Sequence, residues 1–319
     1  MNSYNDFKDS RIYEVNDFAS AIEKARELRA VSEEELYTIK IKSSISKGRF
    51  KFPFSNFCLI GEENTVITCS HYGKERNPST LIDRTTWQTS SLTVTGNNNI
   101  FVNIKIENTA MYPEKKGTSV ALSIFGDENL FINCSINSSQ DTLFLGPLPE
   151  DLSTRYIGFI PEDEYLIEGT LRNYFLNCLI SGSVDFIFGA GQGIFKNCTI
   201  ESIEDGRMGL SYVTAPAHPL SDDFGFLFYS CQFVSKSIFC QRVYLGRPWR
   251  DYGKCVFINC DYGNHIKEEG FCDWSSQSFR YRTARFLEFP LQKGRVEWIS
   301  NNKVPSSSIN KYLDVIKKL

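Results

Sequence analysis

The 319-residue sequence lacks three features, each of which would have suggested a class of protein. Its net charge is -3 and its lysines and arginines are scattered, so it offers no basic surface to nucleic acid. No apolar run approaches the roughly 18 residues of a membrane span. The opening MNSYNDFKDSRIYEV has no apolar signal-peptide core. We therefore expect no nucleic-acid or membrane partner, and a cytoplasmic protein unless a signal has been removed.

The ten cysteines include no C-x-x-C pair. Five of them recur in one context, each after an aromatic and a polar residue: FINCSI at Cys134, FLNCLI at Cys178, FKNCTI at Cys198, FYSCQF at Cys231 and FINCDY at Cys260. The last four are 20, 33 and 29 residues apart, and FVNIKI around Ile104 fits the same register. The chain therefore contains an internal repeat.

A repeat of this length, built on short aromatic and β-branched strands, is typical of an all-β solenoid, the right-handed parallel β-helix. Residues 131–136 alternate with a period of two, which fits strands better than paired helices. Cysteines in phase would then stack as buried thiols, with disulfides or a metal site as the alternatives. The asparagines that precede them would form a ladder at a turn: Asn133, Asn177, Asn197 and Asn259.

The two ends of the chain predict helices on one single domain of residues 1–319. An N-terminal helix at about 11–30, with Asn16 or Asp17 as its N-cap, would plug one end of the solenoid. A second helix at about 306–319, with Ile309, Leu313 and Ile316 on one face, would pack at the other end or against the side.

Two carboxylates occupy the same phase of successive repeats. Asp185 lies within SVDFIFGAGQ, residues 183–192, an apolar setting in which a carboxylate is usually paired or used. Asp141 lies seven residues after Cys134, and Asp185 lies seven residues after Cys178. Equal phase on stacked coils would put the two side chains roughly 5 Å apart. Since both cannot easily be ionised at that distance, we expect one to act as an acid and the other as a nucleophile.

Three blocks in order resemble the signature of the pectin methylesterase (pectinesterase) family: QDTLF at 140–144, VDFIFG at 184–189 and YLGRPW at 244–249. Weaker family-like segments run from about Leu59 to RVEW at 295–298, so the resemblance covers most of the chain. It implies a right-handed parallel β-helix that hydrolyses galacturonate methyl esters in pectin or short oligogalacturonides and releases methanol. No metal or other cofactor is implied.

The resemblance also implies a role for each matched residue. Asp185 would attack the ester carbonyl, while Asp141 would protonate the leaving methoxide and then activate water. Gln140 would donate to the oxyanion, and Arg247 would keep Asp185 ionised. The expected substrate contacts are Trp249, Phe188 and Phe144, as apolar platforms for sugar rings, and Thr118.

Two departures from the family pattern bear on activity. Thr118 stands where the family usually has a glutamine, which shortens one donor near the oxyanion or substrate. Residues 146–165, approximately, form a proline-containing insertion between the two aspartates that must emerge near the cleft. We expect it to wall off one end of the groove, so that a cytoplasmic enzyme would prefer imported oligomers to pectin. A surface loop without function is the alternative.

Other functions remain open on the same fold. A polysaccharide lyase would need an acidic Ca²⁺ cluster with a basic residue, and a polygalacturonase would need aspartates around a glycosidic bond. Neither pattern is visible in the sequence. A non-catalytic carbohydrate-binding protein, or an esterase or thioesterase of another acyl substrate, stays an alternative, chiefly because of Thr118. We expect a monomer.

Overall fold

The computed structural model describes residues 4–7, 10–78, 81, 83–110, 117–155, 157, 169–206, 209–237, 240–301, 309–317 and 319. Its strands form three parallel sheets, and each coil of the solenoid contributes one short strand to each sheet in turn. The predicted all-β parallel β-helix is therefore confirmed.

Sheet A has ten strands: β1 Ile12–Val15, β2 Tyr37–Ile41, β5 Phe57–Gly61, β8 Ile100–Val102, β11 Leu130–Ile132, β14 Arg172–Leu176, β17 Gln192–Lys196, β20 Phe226–Tyr229, β23 Lys254–Ile258 and β25 Arg285–Phe289. Sheet B has eight: β3 Ile45–Lys47, β6 Val66–Cys69, β9 Lys105–Asn108, β12 Ser135–Asn137, β15 Leu179–Gly182, β18 Thr199–Ser202, β21 Gln232–Val234 and β24 Asp261–Tyr262. Sheet C has seven: β4 Phe50–Phe52, β7 Leu92–Val94, β10 Leu122–Ile124, β13 Leu143–Leu145, β16 Val184–Gly189, β19 Ser211–Pro216 and β22 Val243–Gly246.

Two columns of identical side chains run through the interior. One is a stack of parallel phenylalanine rings with centroids 4.6 to 5.1 Å apart: Phe101, Phe131, Phe175, Phe195, Phe228 and Phe257. The other consists of the repeated cysteines, which are free thiols that donate to carbonyls of the preceding coil, as Cys178 does to Phe131 O at 3.4 Å. Burial raises the pKa of the Cys178 and Cys231 thiols. The prediction of stacked, unbridged thiols is confirmed.

The asparagines predicted to form a ladder are not the ones whose side chains stack in the interior. Asn133, Asn177, Asn197 and Asn259 are exposed and adopt φ between 52° and 55° at the corner between sheets A and B. Asparagine suits this corner because it tolerates the left-handed backbone. The corner also interrupts the period-two alternation, so that Phe131 and Cys134 both face inward. A buried ladder exists nearby, formed by Asn99, Asn129 and Asn173 through their side-chain amides.

The described residues include four α-helices: α1 Phe18–Val31, α2 Glu150–Arg155, α3 Glu297–Asn301 and α4 Ile309–Ile316. Short 3₁₀ turns occur at Tyr4–Phe7, Thr86–Thr89 and Arg280–Arg282. Among the described helices, none is long and apolar enough to cross a membrane.

The N-terminal helix is shorter than expected, because residues 12–15 form strand β1. Asp17 caps α1 by accepting from Ser20 N at 2.7 Å, and Phe18 on its inner face is fully buried in the core. At the other end, α4 lies against the outer face of sheet A, where Tyr312 and Ile316 are buried. The start of the expected C-terminal helix, residues 306–308, lies outside the described residues.

Candidate active site

Asp185 lies at a bulge in strand β16. The pairing of β16 with β19 slips between Val184, opposite Tyr212, and Ile187, opposite Thr214. Asp185 adopts φ 51°, a left-handed conformation that is uncommon outside glycine. Phe186 after it enters the core, while the Asp185 carboxylate meets an arginine outside it. The bulge thus re-aims the carboxylate to the outer face of sheet C.

Asp141 has the equivalent place on the preceding coil. It precedes Leu143 by two residues, and Leu143 pairs with Ile187, which Asp185 also precedes by two. Asp141 has φ 63°, and its N–H donates to Val184 O at 3.0 Å. The equal phase predicted from the sequence is confirmed for the backbone, where neighbouring strands are about 4.8 Å apart. The matching left-handed conformation shows that the two turns have the same backbone geometry.

Arg247 holds Asp185 with both arms of its guanidinium. Nε donates to Oδ1 at 2.9 Å and Nη2 donates to Oδ2 at 2.6 Å, while only 6% of Asp185 is exposed. Burial alone lowers the pKa of Arg247, but the hydrogen bond and the charge of Asp185 outweigh it, and the pKa is raised. The pair is therefore ionised and geometrically fixed.

The Arg247 side chain crosses one coil to reach its partner. Arg247 follows β22, Asp185 lies in β16, and β19 lies between them. The guanidinium carbon lies 3.7 Å from the ring centroid of Tyr212 and 4.4 Å from that of Trp274. These two aromatic residues were missed from the sequence, because neither lies in a recognisable block. They hold the guanidinium in place by cation–π contact.

Gln140 and Thr118 lie on adjacent coils next to the aspartates. The N–H of Ser119, which follows Thr118, donates to Gln140 O at 3.0 Å. The Thr118 hydroxyl donates to Thr86 Oγ1 at 2.9 Å. Its proton is thus directed to the neighbouring threonine.

A buried serine cluster supports the turn that leads to Asp141. Ser119 Oγ lies 2.8 Å from Ser138 Oγ and 3.1 Å from Ser139 Oγ. Ser139 O accepts from Ser183 N at 2.8 Å, which ties this turn to the one before Asp185. Satisfied buried networks of this kind hold neighbouring groups rigidly.

The expected aromatic platforms divide into one half-buried residue and two covered ones. Phe144 has no exposed surface, because Trp87 covers it at a centroid distance of 4.6 Å. Phe188 is 4% exposed and packs 5.1 Å from Phe144. The prediction that these two rings present faces to sugar is therefore wrong. Trp249 is half-buried, 6.0 Å from Phe188, and retains an accessible part.

The described part of the insertion packs onto this aromatic cluster. Leu148 and Leu152 are buried against it. Asp151 on α2 accepts two hydrogen bonds from Arg250, at 3.0 and 2.6 Å, and these bonds lower the pKa of Asp151. The first part of the insertion is thus fastened to the loop after β22. Residues 156 and 158–168 lie outside the described part of the chain.

No group of three or more histidine, cysteine, aspartate or glutamate side chains is arranged as metal ligands among the described residues.

Solved structures with the same fold include three pectin methylesterases. The structure of rice weevil pectin methyl esterase has a TM-score of 0.72 at 20% identity and covers 88% of both chains. A pectin methylesterase in complex with a hexasaccharide has a TM-score of 0.70 at 23% identity, covering 96% of this chain and 94% of the other. The enzyme from carrot has a TM-score of 0.67 at 23% identity and covers 84% and 78%. These TM-scores show a common fold.

Curated relatives by sequence include plant proteins. A pectinesterase of Petunia integrifolia is 28% identical over 80% of this chain and 62% of its own length. The putative pectinesterase 14 of Arabidopsis thaliana is 30% identical over 66% of this chain and 57% of its own length. The chain thus spans about 60% of the length of these relatives. Plant pectinesterases are cell-wall or secreted enzymes, so the cytoplasmic location expected from the sequence is wrong.

The Pectinesterase family profile matches residues 13–147 and 162–313, which is most of the chain. The match breaks at 148–161, within the segment interpreted as an insertion. The profile thus spans all three sequence blocks and the coils that bring Asp141, Asp185 and Arg247 together, and the chain belongs to the pectinesterase family.

Proposed function

We propose that this chain hydrolyses galacturonate methyl esters in pectin or oligogalacturonides and releases methanol. The observation that carries the proposal is the buried Asp185 carboxylate, held in a two-point ion pair by Arg247 and in register with Asp141 on the preceding coil. A carboxylate that is desolvated yet held ionised is a competent nucleophile, and a neighbouring carboxylic acid can serve the leaving group.

The reaction proceeds in two displacement steps. In the first, an oxygen of Asp185 attacks the ester carbonyl carbon, and Asp141 gives its proton to the methoxide as the C–O bond breaks. This releases methanol and leaves galacturonate joined to Asp185 as an anhydride. In the second step, Asp141 takes a proton from water as the water oxygen attacks the same carbonyl. Asp185 then leaves as a carboxylate, and Asp141 is again protonated.

We assign oxyanion stabilisation to Gln140 rather than to Thr118. Gln140 directly precedes Asp141, so its amide is positioned by the same coil as the acid. The Thr118 hydroxyl is directed to Thr86, which argues against a direct role in the ground state. One preorganised donor at an oxyanion is worth roughly 10² to 10³ in rate in a protease.

Substrate contact in this proposal comes from Trp249, with Phe188 beneath it as support. The half-buried indole offers an accessible apolar surface beside Phe188. The hexasaccharide bound to a fold neighbour supports an oligosaccharide as the ligand. We further propose that the protein acts as a monomer, without a nucleic-acid or membrane partner.

The test is methanol release from methylated oligogalacturonide, measured beside cleavage of the chain. The wild-type protein should release methanol and leave chain length unchanged. Asp185→Asn should abolish release while it retains fold and oligogalacturonide binding, since the amide removes the nucleophilic charge in the same shape. Asp141→Asn should be severely impaired. Chain cleavage would indicate a lyase or a glycosidase, and binding without methanol release would indicate a non-catalytic carbohydrate-binding protein.

A further inference from the structure

Two arginines donate to the backbone of Trp249. Arg250 Nη1 lies 2.8 Å from Trp249 O, and Arg280 Nη1 lies 2.7 Å from the same oxygen. The N–H of Trp249 donates to Pro216 O at 2.9 Å. A carbonyl oxygen has two lone pairs, and both are used here. The backbone of Trp249 is therefore fixed at both its N–H and its carbonyl.

Only Arg250, of these two arginines, also contacts the indole. Its guanidinium carbon lies over the Trp249 ring, 4.9 Å from the centroid. The Arg280 guanidinium lies over the ring of Trp274 instead, at 5.8 Å. A guanidinium over an aromatic face is attracted by the quadrupole of the ring. The orientation of the half-buried indole therefore depends on where Arg250 places its guanidinium.

Asp151 of the insertion determines that placement. Its two carboxylate oxygens accept from Nε and Nη2 of Arg250, at 3.0 and 2.6 Å. The third nitrogen, Nη1, is the one that donates to Trp249 O. Since the guanidinium is planar and rigid, a carboxylate that holds one edge of it sets the plane that the indole meets.

Apolar packing fixes the helix that carries Asp151. The next residue on α2, Leu152, is 5% exposed and belongs to the cluster that contains Phe188 and against which Trp249 packs. The family match breaks at 148–161, whereas Trp249 lies within a matched region. An aromatic residue from the matched part of the chain is thus oriented by a residue from a segment outside the match.

We propose that Asp151 is a positioning residue for substrate binding, which acts through Arg250 to hold the Trp249 indole in the orientation that meets the substrate. The consequence for substrate rests on the proposed function. Asp151 touches no reacting group in this proposal. Its removal should therefore weaken binding and leave the chemistry of Asp141 and Asp185 unchanged.

Fluorine NMR of protein labelled with fluorotryptophan tests the orientation of Trp249 without substrate. The four tryptophans give four resonances, and Trp249→Phe identifies the resonance of that residue. Asp151→Asn removes the charge that holds Arg250, so the Trp249 resonance should shift and broaden. Asp151 is exposed, so the variant should fold. An unchanged Trp249 resonance would overturn the proposal.

Asp314→Asn is the matched control. It makes the same chemical change in an exposed ion pair on α4, where Lys317 lies 3.1 Å from Asp314. This variant should leave the Trp249 resonance at its wild-type position. A shift of the same size in both variants would be a general effect of charge and would refute a positioning role for Asp151.

The consequence for substrate is measured as methanol release from a fully methyl-esterified oligogalacturonide. In Asp151→Asn, KM should rise about threefold to fivefold, the range expected from a partly exposed two-point ion pair, while kcat stays within about twofold. Because every carboxyl group of this substrate is esterified, the lost negative charge cannot itself account for weaker binding.

A double-mutant cycle tests whether Asp151 acts through Arg250. Arg250→Gln should raise KM by a similar factor, and the double variant should be no worse than either single one, since both changes affect the same indole. Effects on KM that multiply, or a fall in kcat with KM unchanged, would overturn the assignment.

The two proposals fail separately. If wild-type protein releases no methanol but Asp151→Asn moves the Trp249 resonance, the esterase function fails and the positioning of Trp249 stands. If methanol is released and Asp151→Asn changes neither the resonance nor KM, the positioning fails and the esterase function stands. A moved resonance with an unchanged KM would refute the link between the orientation of Trp249 and substrate binding.

Discussion

Replacement of Arg247 by lysine tests whether a two-point ion pair, rather than positive charge alone, prepares Asp185. Lysine keeps the charge but can supply only one of the two hydrogen bonds, which measure 2.9 and 2.6 Å, and loses the planar stack on Tyr212. A hydrogen bond to a charged group contributes about 1.5 to 3 kcal/mol. Since about 1.4 kcal/mol is tenfold in rate, kcat/KM should fall roughly 10- to 100-fold.

The pH dependence of the loss identifies its cause. A weaker cation makes protonation of Asp185 easier, and the reaction needs its ionised form, so the acid limb of the kcat/KM profile should move up by about one to two pH units. The fall in kcat/KM of Arg247→Lys should therefore be largest at low pH and become smaller as the pH rises. Methanol release from a methylated oligogalacturonide across the pH range measures both effects.

Arg295→Lys is the matched control. Arg295 forms a similar but more deeply buried two-point ion pair with Glu288, at 2.9 and 2.8 Å, and stacks on Tyr262 outside sheet C. It should lose comparable stability without a shift of the acid limb. A loss in Arg247→Lys that is the same at every pH, or a profile shift shared by Arg295→Lys, would refute the reasoning.

Three further changes should give definite results. Thr118→Gln, which introduces a longer side chain with an amide donor, should raise kcat by less than the roughly 10²-fold worth of a full oxyanion donor; an equal or lower rate in the folded variant would contradict this. Replacing residues 148–161 by a short linker should raise methanol release from pectin relative to a trimer, unless the intact protein already treats both equally per ester. Between pH 6.5 and 4, protons bind His218 in the unfolded chain before they bind it in the folded protein, because its folded pKa is about 4. The free energy of unfolding is therefore lost over this range, and His218→Gln should reduce that loss. That loss should reach about 3 kcal/mol in the wild-type protein by chemical denaturation and persist in His71→Gln.

The sequence alone was enough to predict the features that recur from one coil to the next. Because strands of a solenoid stack in register, the equal spacing of Asp141 and Asp185 from their cysteines translated directly into neighbouring backbone positions. The same logic predicted the interior cysteine column. Arg247 was identified only through a family block, since nothing in its own neighbourhood shows that it reaches across a coil.

Sequence patterns failed where two apolar layers had to be told apart. Phe144 and Phe188 alternate like residues of an outer face, but the insertion and Trp87 cover that face and make it a second core. Tyr212 and Trp274 were missed for a related reason, because their contact with Arg247 depends on a loop whose path no local pattern predicts. Asn133 was misplaced because its left-handed corner breaks the strand periodicity on which the prediction was based.

Because Arg247 reaches over the intervening coil, the site is sensitive to local opening of the solenoid. Coils in such folds contact only their neighbours, so the C-terminal coils can open while those before them stay intact. Opening of β22 alone would withdraw the guanidinium and leave Asp141 and Asp185 in place on closed coils. Amide hydrogen exchange of β22 should therefore follow the loss of activity on heating more closely than exchange of β13 or β16, and inactivation should precede global unfolding.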